Sequence, residues 1–285
     1  MSGDLSNLES LRETLMNASK FESEVETILV FDQKESEISS KNQEEILTWD
    51  FANFNSYSDV FSSVGAARNF GLSVADSKWV AFTDADDIND VQNFISMIRE
   101  AELDKSDIAI GKFYSNQNPT EKKDLAQREE WDSETFQIPF GLNPGIWRCA
   151  FRLSSINGIS FPNLNMAEDQ IFLSKFFSVQ RRIHFSNLFV YNYFTGGENS
   201  LTNKIEQVRR ISDAIPISLE IARETRGPYL NLLETLAVSQ ILSGIKYGNF
   251  KVRLALTGRM LSFLSSNGLV SMFRRFHILI KVAQR

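Results

Sequence analysis

The chain has 285 residues, 42% of them hydrophobic and 23% charged, with 14 glycines, 6 prolines and a formal net charge of −6. That composition excludes collagen-like, low-complexity and wholly disordered chains, and a pI near 5.2 argues against nucleic acid as the main partner. A chain of this length buries roughly 75% of its unfolded surface, enough for a large core or for a domain with an appendage.

The N-terminal region carries Asp4, Glu9 and Glu13 where a secretory leader would need a basic start and an apolar run, so none is expected. Leu8, Leu11 and Leu15 keep helical spacing, and TILVF (Thr27 to Phe31) is a short apolar run closed by Asp32, which reads as helix followed by buried strand. A second helix is expected over Asp59 to Ser73. The run WVAF (Trp79 to Phe82) ends at Thr83 and Asp84, after which Val91, Phe94, Ile95 and Ile98 fall on one helical face. DIAIGKF (Asp107 to Phe113) supplies another strand, and Cys149, the single cysteine, fits a reducing, cytoplasmic setting. Strands alternating with helices imply βαβ units and a mainly parallel sheet, whose ligands bind outside the carboxyl ends of the strands.

That rule points to Asp32 and to the cluster Asp84, Asp86 and Asp87. Three carboxylates within four residues repel one another unless a cation or a set of donors neutralises them. Oxygen ligands of this kind suit Mg²⁺ or Mn²⁺ held together with substrate phosphates. Helix capping by Asp87 or Asp90 explains one of these acids but not three. An EF-hand loop starting at Asp84 would need Gly and Glu where the chain has Asn89 and Ile95. A phosphatase of the haloacid-dehalogenase type would want Thr or Val where Ile88 stands, which leaves that alternative weak.

Read as one block, SVGAARNFGLSVADSKWVAFTDADD (Ser63 to Asp87) resembles the nucleotide-sugar segment of the family 2 glycosyltransferases of the GT-A fold. The family pattern G-x-x-x-A-R-N-x-G, followed by a strand closed by D-x-D-D, is met by Ala67, Arg68, Asn69 and Gly71 and by Asp84 to Asp87, with Ser63 in place of the first Gly. ISFPNLNMAEDQIF (Ile159 to Phe172) is similar to the family's second motif, and YNYFTGGENSLT (Tyr191 to Thr202) to the segment that closes its catalytic domain. The resemblance implies a GT-A type, Rossmann-like α/β domain over residues 1–205, with a helical, basic extension over 206–285.

It also implies roles. Asp84 and Asp86 would hold Mg²⁺ or Mn²⁺ against the diphosphate of a nucleotide-sugar donor, and Arg68 would add a fixed positive charge. Asp32, Gly65 and Asn69 would line the nucleotide. Asp169 is the first choice of base for an inverting displacement and Glu168 the second; a plain helix cap is the alternative for that pair. His184 and His277 lack a second ligand at zinc spacing, and Trp131 and Trp147 could stack on a sugar, although packing is the commoner use. The acceptor would be a glycan or a lipid-linked group in surface polysaccharide synthesis, at the cytoplasmic face of the cell membrane. The rival expectation is a degenerate, non-catalytic member that keeps the fold as a binding or scaffolding partner.

The chain departs from the family pattern at its start. The family's first apolar strand is not recognisable in MSGDLSNL, and Gln33, Lys34 and Glu35 follow Asp32 where the family has Asp-Gly-Ser. A sheet short of one strand beside Thr27 to Phe31 is therefore expected, to be completed by upstream residues, the chain's own N-terminus or a partner.

Charge is segregated along the chain. Residues 1–50 hold twelve acids and four bases, whereas residues 241–285 hold eight bases and no acid. In that tail Lys246, Lys251, Arg253 and Arg259 alternate with Phe250, Leu254 and Leu261, a pattern of basic amphipathic helices. Two readings stand: peripheral contact with an anionic membrane, or helices packed on the parent domain with their cations in water. No run approaches the ~18 apolar residues needed to span a bilayer.

Overall fold

The computed structural model describes residues 5–32, 45–46, 48–49, 51–85, 87–116, 145–164, 166–194, 210–266 and 268–283. Contacts gather the chain into two compact units. The first takes Met1–Arg128, Gly145–Asn163 and Arg182–Glu198; the second takes Glu129–Pro144, Leu164–Arg181 and Asn199–Arg285.

The first unit is α/β. Its elements are α1 (Leu5–Ser19), β1 (Thr27–Asp32), β2 (Phe54–Asp59), α2 (Val64–Val74), β3 (Trp79–Ala81), β4 (Ile88–Asn89), α3 (Val91–Leu103), β5 (Ile108–Asn116), β6 (Cys149–Arg152) and β7 (Ile183–Phe194). The expected helix over Asp59 to Ser73 begins later than its sequence suggested. Phe54–Asp59 lacks an apolar run, but pairs residue for residue with β1 and becomes a strand. Helix α2 starts only after Ser63, whose Oγ accepts the Ala66 amide at 3.1 Å.

β1 and β2 pair in parallel as a two-stranded sheet, and the other strands form a five-stranded sheet in the order β3-β6-β5-β7-β4. That larger sheet corrects the mainly parallel expectation. Only β5 and β7 run parallel within it, while β3 with β6, β5 with β6 and β4 with β7 are antiparallel. Apolar runs mark strands but not their direction, which is fixed by partners far along the chain. Across β5 and β7 the register shifts on both sides of Lys112. Beside that irregularity, a Cβ on Gly111 would meet Val190 at 2.6 Å, so only glycine fits.

Of the residues on the expected helical face, Phe94 and Ile98 of α3 pack on the sheet, while Val91 and Ile95 pack with Ala18 of α1. Asp90 caps α3 through the Asn93 amide at 2.9 Å, and Phe94, Met97 and Ala101 pack with Ala109, Phe113, Ala150, Val190 and Tyr191. On the smaller sheet Leu11 and Leu15 of α1 pack on Leu29.

The second unit is helical: α4 (Glu168–Phe176), α5 (Ile215–Glu224), α6 (Leu230–Tyr247), α7 (Phe250–Ser265) and α8 (Gly268–Ala283). α6 lies at its centre, against α5, α7 and α8. Within it Glu234 is fully buried, and both Arg274 (2.7 and 2.9 Å) and Arg275 (2.6 Å) donate to its carboxylate. This carboxylate raises the pKa of Arg274. Arg275, 1% exposed, lies neither in water nor on an outward face, whereas the Arg274 side chain is 30% exposed. Among the described residues no helix is long and apolar enough to cross a membrane.

Candidate functional site

The site begins where β3 ends. The Asp84 amide donates to the Tyr191 hydroxyl at 3.2 Å, and that hydroxyl donates to Asp87 Oδ2 at 2.8 Å. The Asp87 amide in turn donates to the Asp84 carbonyl at 3.2 Å, and the Asn89 side-chain amide donates to Thr83 Oγ1. Tyr191 is 1% exposed and Asp87 2% exposed. Burial first, then the Asp87 and Asp84 carboxylates, push the tyrosine pKa well above 10, so the hydroxyl stays protonated and keeps donating. The acidic loop is thus held by β7, a strand distant in sequence.

α2 supplies the positive side. Arg68 Nη2 donates to Asp84 Oδ1 at 2.7 Å, with the arginine side chain 14% and the carboxylate 39% exposed. Its guanidinium lies 5.7 Å above the Phe161 ring. The next residue, Asn69, exchanges two hydrogen bonds with the Phe161 backbone: Nδ2 donates to the carbonyl at 3.0 Å and Oδ1 accepts the amide at 2.9 Å. Phe161 packs edge-on against Phe82 at 5.2 Å. Helix, acidic loop and F-P segment are therefore fastened to one another by charge, amide pairing and ring packing.

The structure brings Arg68, Asn69 and Asp84 together. Gly65 is buried in the first turn of α2. Asp32 sits at the carboxyl end of β1, where its Oδ1 accepts the Phe61 amide at 3.0 Å and so ties down the segment leading into α2. Asp86, Trp131 and the Ser200 to Thr202 turn lie outside the described residues. Among the described residues no three His, Cys, Asp or Glu side chains gather as a metal cage. The exposed Asp84 carboxylate suits instead a hard cation held by one or two protein carboxylates plus substrate oxygens.

Glu168 and Asp169 open α4 in the helical unit and are half-buried. The residue before them, Ala167, takes a left-handed backbone at φ 62°, and the helix start has no side-chain cap. Asp169 Oδ1 accepts the Gln170 amide at 2.7 Å. Gln170 Oε1 accepts from Gln240 Nε2 at 2.9 Å, and Gln240 Oε1 accepts from Ser218 Oγ at 2.6 Å, so the first turn of α4 is anchored to α6 and α5.

Sequence reasoning missed the roles of Tyr191, Phe161 and the Gln170–Gln240–Ser218 chain. For Tyr191 the alternation of YNYF was a usable signal, because it placed Tyr191 and Tyr193 on one face. The His184 ring nitrogens face Asp104 at 2.7 Å and Glu100 at 3.1 Å. Trp147 is a packing residue, 6% exposed and stacked on Tyr191 at 4.6 Å and Tyr193 at 5.2 Å.

The model of the glycosyl transferase family 2 matches residues 7–159. No curated protein matches the chain in sequence. Among solved structures, S. aureus TarS 1–349 is similar at 18% identity over 99% of this chain and 88% of that one, with a TM-score of 0.54. The same TarS fragment in complex with UDP-GlcNAc matches at 18% identity over 98% and 88%, with a TM-score of 0.55. The mannosyltransferase PcManGT from Pyrobaculum calidifontis, in complex with GDP-Man and Mn²⁺, matches at 12% identity over 99% and 83%, with a TM-score of 0.57. At these identities the likeness is one of fold.

Proposed function

Because the chain belongs to glycosyl transferase family 2, we propose that it transfers a sugar, with inversion, from a nucleotide-diphosphate sugar to a glycan or lipid-linked acceptor in surface polysaccharide synthesis. The reading places this reaction in the cytoplasm and assigns the catalytic domain to residues 1–205, with 206–285 as a helical extension. The observation that carries it is the Arg68–Asp84 pair, 2.7 Å apart and held at the carboxyl end of a strand by the Tyr191 and Asn69 bonds.

Within this reading Asp84 and Asp86 would hold Mg²⁺ or Mn²⁺, which would supply Lewis-acid neutralisation of diphosphate charge. Arg68 offers a planar donor set to the same phosphates, and its bond to Asp84 keeps the guanidinium oriented before the donor arrives. Asn69, Gly65 and Asp32 shape the nucleotide side. Asp169 takes the proton from the acceptor hydroxyl as that oxygen attacks the anomeric carbon, and Glu168 supports it. The glutamine chain behind Gln170 keeps the first turn of α4 from drifting.

One panel tests the assignment: binding of UDP- and GDP-sugars by calorimetry with and without Mn²⁺, together with a transfer assay, on the parent chain and three variants. Asp86→Asn is expected to abolish metal-dependent binding in a folded protein. Asp169→Asn is expected to keep donor binding and lose transfer by ~10² to 10⁴-fold, with Glu168→Gln costing less. Equal activity in both acidic-pair variants would reduce that pair to a helix start. A parent chain that binds no nucleotide sugar would be the non-catalytic scaffold.

A further inference from the structure

α8 is an amphipathic helix mounted inside out. Ordinarily a helix on a soluble protein turns its apolar stripe to the core and its charges to water. Here the inward side carries Arg275, 1% exposed, which donates to Glu234 and to the carbonyls of Phe263 and Ser266. The outward side carries Val270 (81% exposed), Phe273 (68%) and Ile280 (55%), which a 3.6-residue period sets on one stripe. On α7, which packs against α8, Phe250, Leu254 and Leu261 form a second uncovered stripe. Single exposed apolar residues are ordinary on a soluble surface, but two stripes on two packed helices mark a face built to be covered.

The surrounding charge names the cover. Residues 241–285 contain no acid at all, in a protein whose net charge is −6. Lys246 at the end of α6 and Lys251 and Arg259 on α7 are exposed. A second copy seated on the same face would set cation against cation across an isologous interface, with no acid on either side to relieve it. An anionic lipid surface meets both halves of the chemistry, since headgroup phosphates take the cations and the acyl boundary takes the rings and branched chains.

We propose that the outward faces of α7 and α8 form a docking surface for an anionic lipid bilayer, with Phe273, Ile280 and Leu254 entering the headgroup boundary and Lys251 and Arg259 lying at phosphate level. The surface is preformed. Glu234 fixes the rotation of α8 through two arginines, so docking requires no helix to fold and no side to be chosen. Arg274 and Arg275 are spent on that internal task, and the lipid attraction comes from the remaining cations. The inference does not depend on the proposed sugar transfer.

The test is flotation of the full chain with vesicles of phosphatidylcholine alone or mixed with phosphatidylglycerol, at low and high salt. The expected result is binding to the anionic vesicles only, weakened at least tenfold by high salt because exposed charge is screened. Phe273→Ser with Ile280→Ser, and separately Lys251→Glu with Arg259→Glu, are each expected to lose at least tenfold in vesicle affinity while thermal unfolding and donor binding stay unchanged. A parent chain that ignores anionic vesicles at low salt overturns the proposal, as does a Phe273→Ser, Ile280→Ser variant that binds them undiminished. An oligomer on size-exclusion chromatography that this variant converts to monomer also overturns it, in favour of a copy-to-copy interface.

Discussion

One hydroxyl ties the acidic loop to β7. Tyr191→Phe removes no volume but leaves the buried Asp87 carboxylate without that donor and the Asp84 amide without its acceptor. The expected cost is about 1–3 kcal/mol of stability, with weaker metal-dependent donor binding beside it. A pH signature separates this from simple packing loss. The folded tyrosine titrates well above 10, its ordinary value. Its contribution is therefore complete below pH ~10 and lost as pH rises beyond it, because only the unfolded chain releases the proton there. Urea unfolding between pH 8 and 11 should show an alkaline decline in the parent chain that the Phe variant lacks. At this scale the motif residues were legible because Arg68, Asn69 and Asp84 fall within seventeen consecutive positions of a known pattern. The role of Tyr191 was not, since the alternation of YNYF gives its face but not its partner Asp87, 104 residues away.

Among the elements, α8 depends most on one residue elsewhere. Glu234 lies in the second turn of α6 with both arginines of α8 upon it, and the Arg275 guanidinium also lies 4.1 Å over the Phe263 ring. Glu234→Ala would strand a buried guanidinium without its counter-charge, a change expected to cost about 3–5 kcal/mol. Limited proteolysis should then cut near residues 265–270 faster than in the parent chain. A variant cut no faster would mean that Ile278 and its neighbours hold the helix without the ion pairs. That the tail forms helices was plain from its alternation, but the orientation of α8 was not, because a buried glutamate forty residues upstream reverses which side faces the core. The same limit applied to the sheet. TILVF, WVAF and DIAIGKF announced β1, β3 and β5, whereas β2 has no apolar run and is a strand through its pairing with β1.

On the scale of the whole molecule, the chain leaves the α/β unit after Asn163, builds α4 in the helical unit, and returns at Arg182 to lay down β7. That strand is the last of the larger sheet to be reached along the chain, yet it lies between β5 and β4. Contacts of such long separation slow folding, because loop-closure entropy is lost before they form. Tyr191 of β7 both stacks on Trp147 and ties the acidic loop. In refolding experiments the fluorescence of Trp147 and metal-dependent donor binding should therefore recover in one kinetic phase. For a chain emerging from the ribosome, this order of events means that the acidic loop stays untied until β7 has been synthesised. Half-made protein would then draw no nucleotide sugar from the cell, and donor turnover would begin only once the sheet has closed.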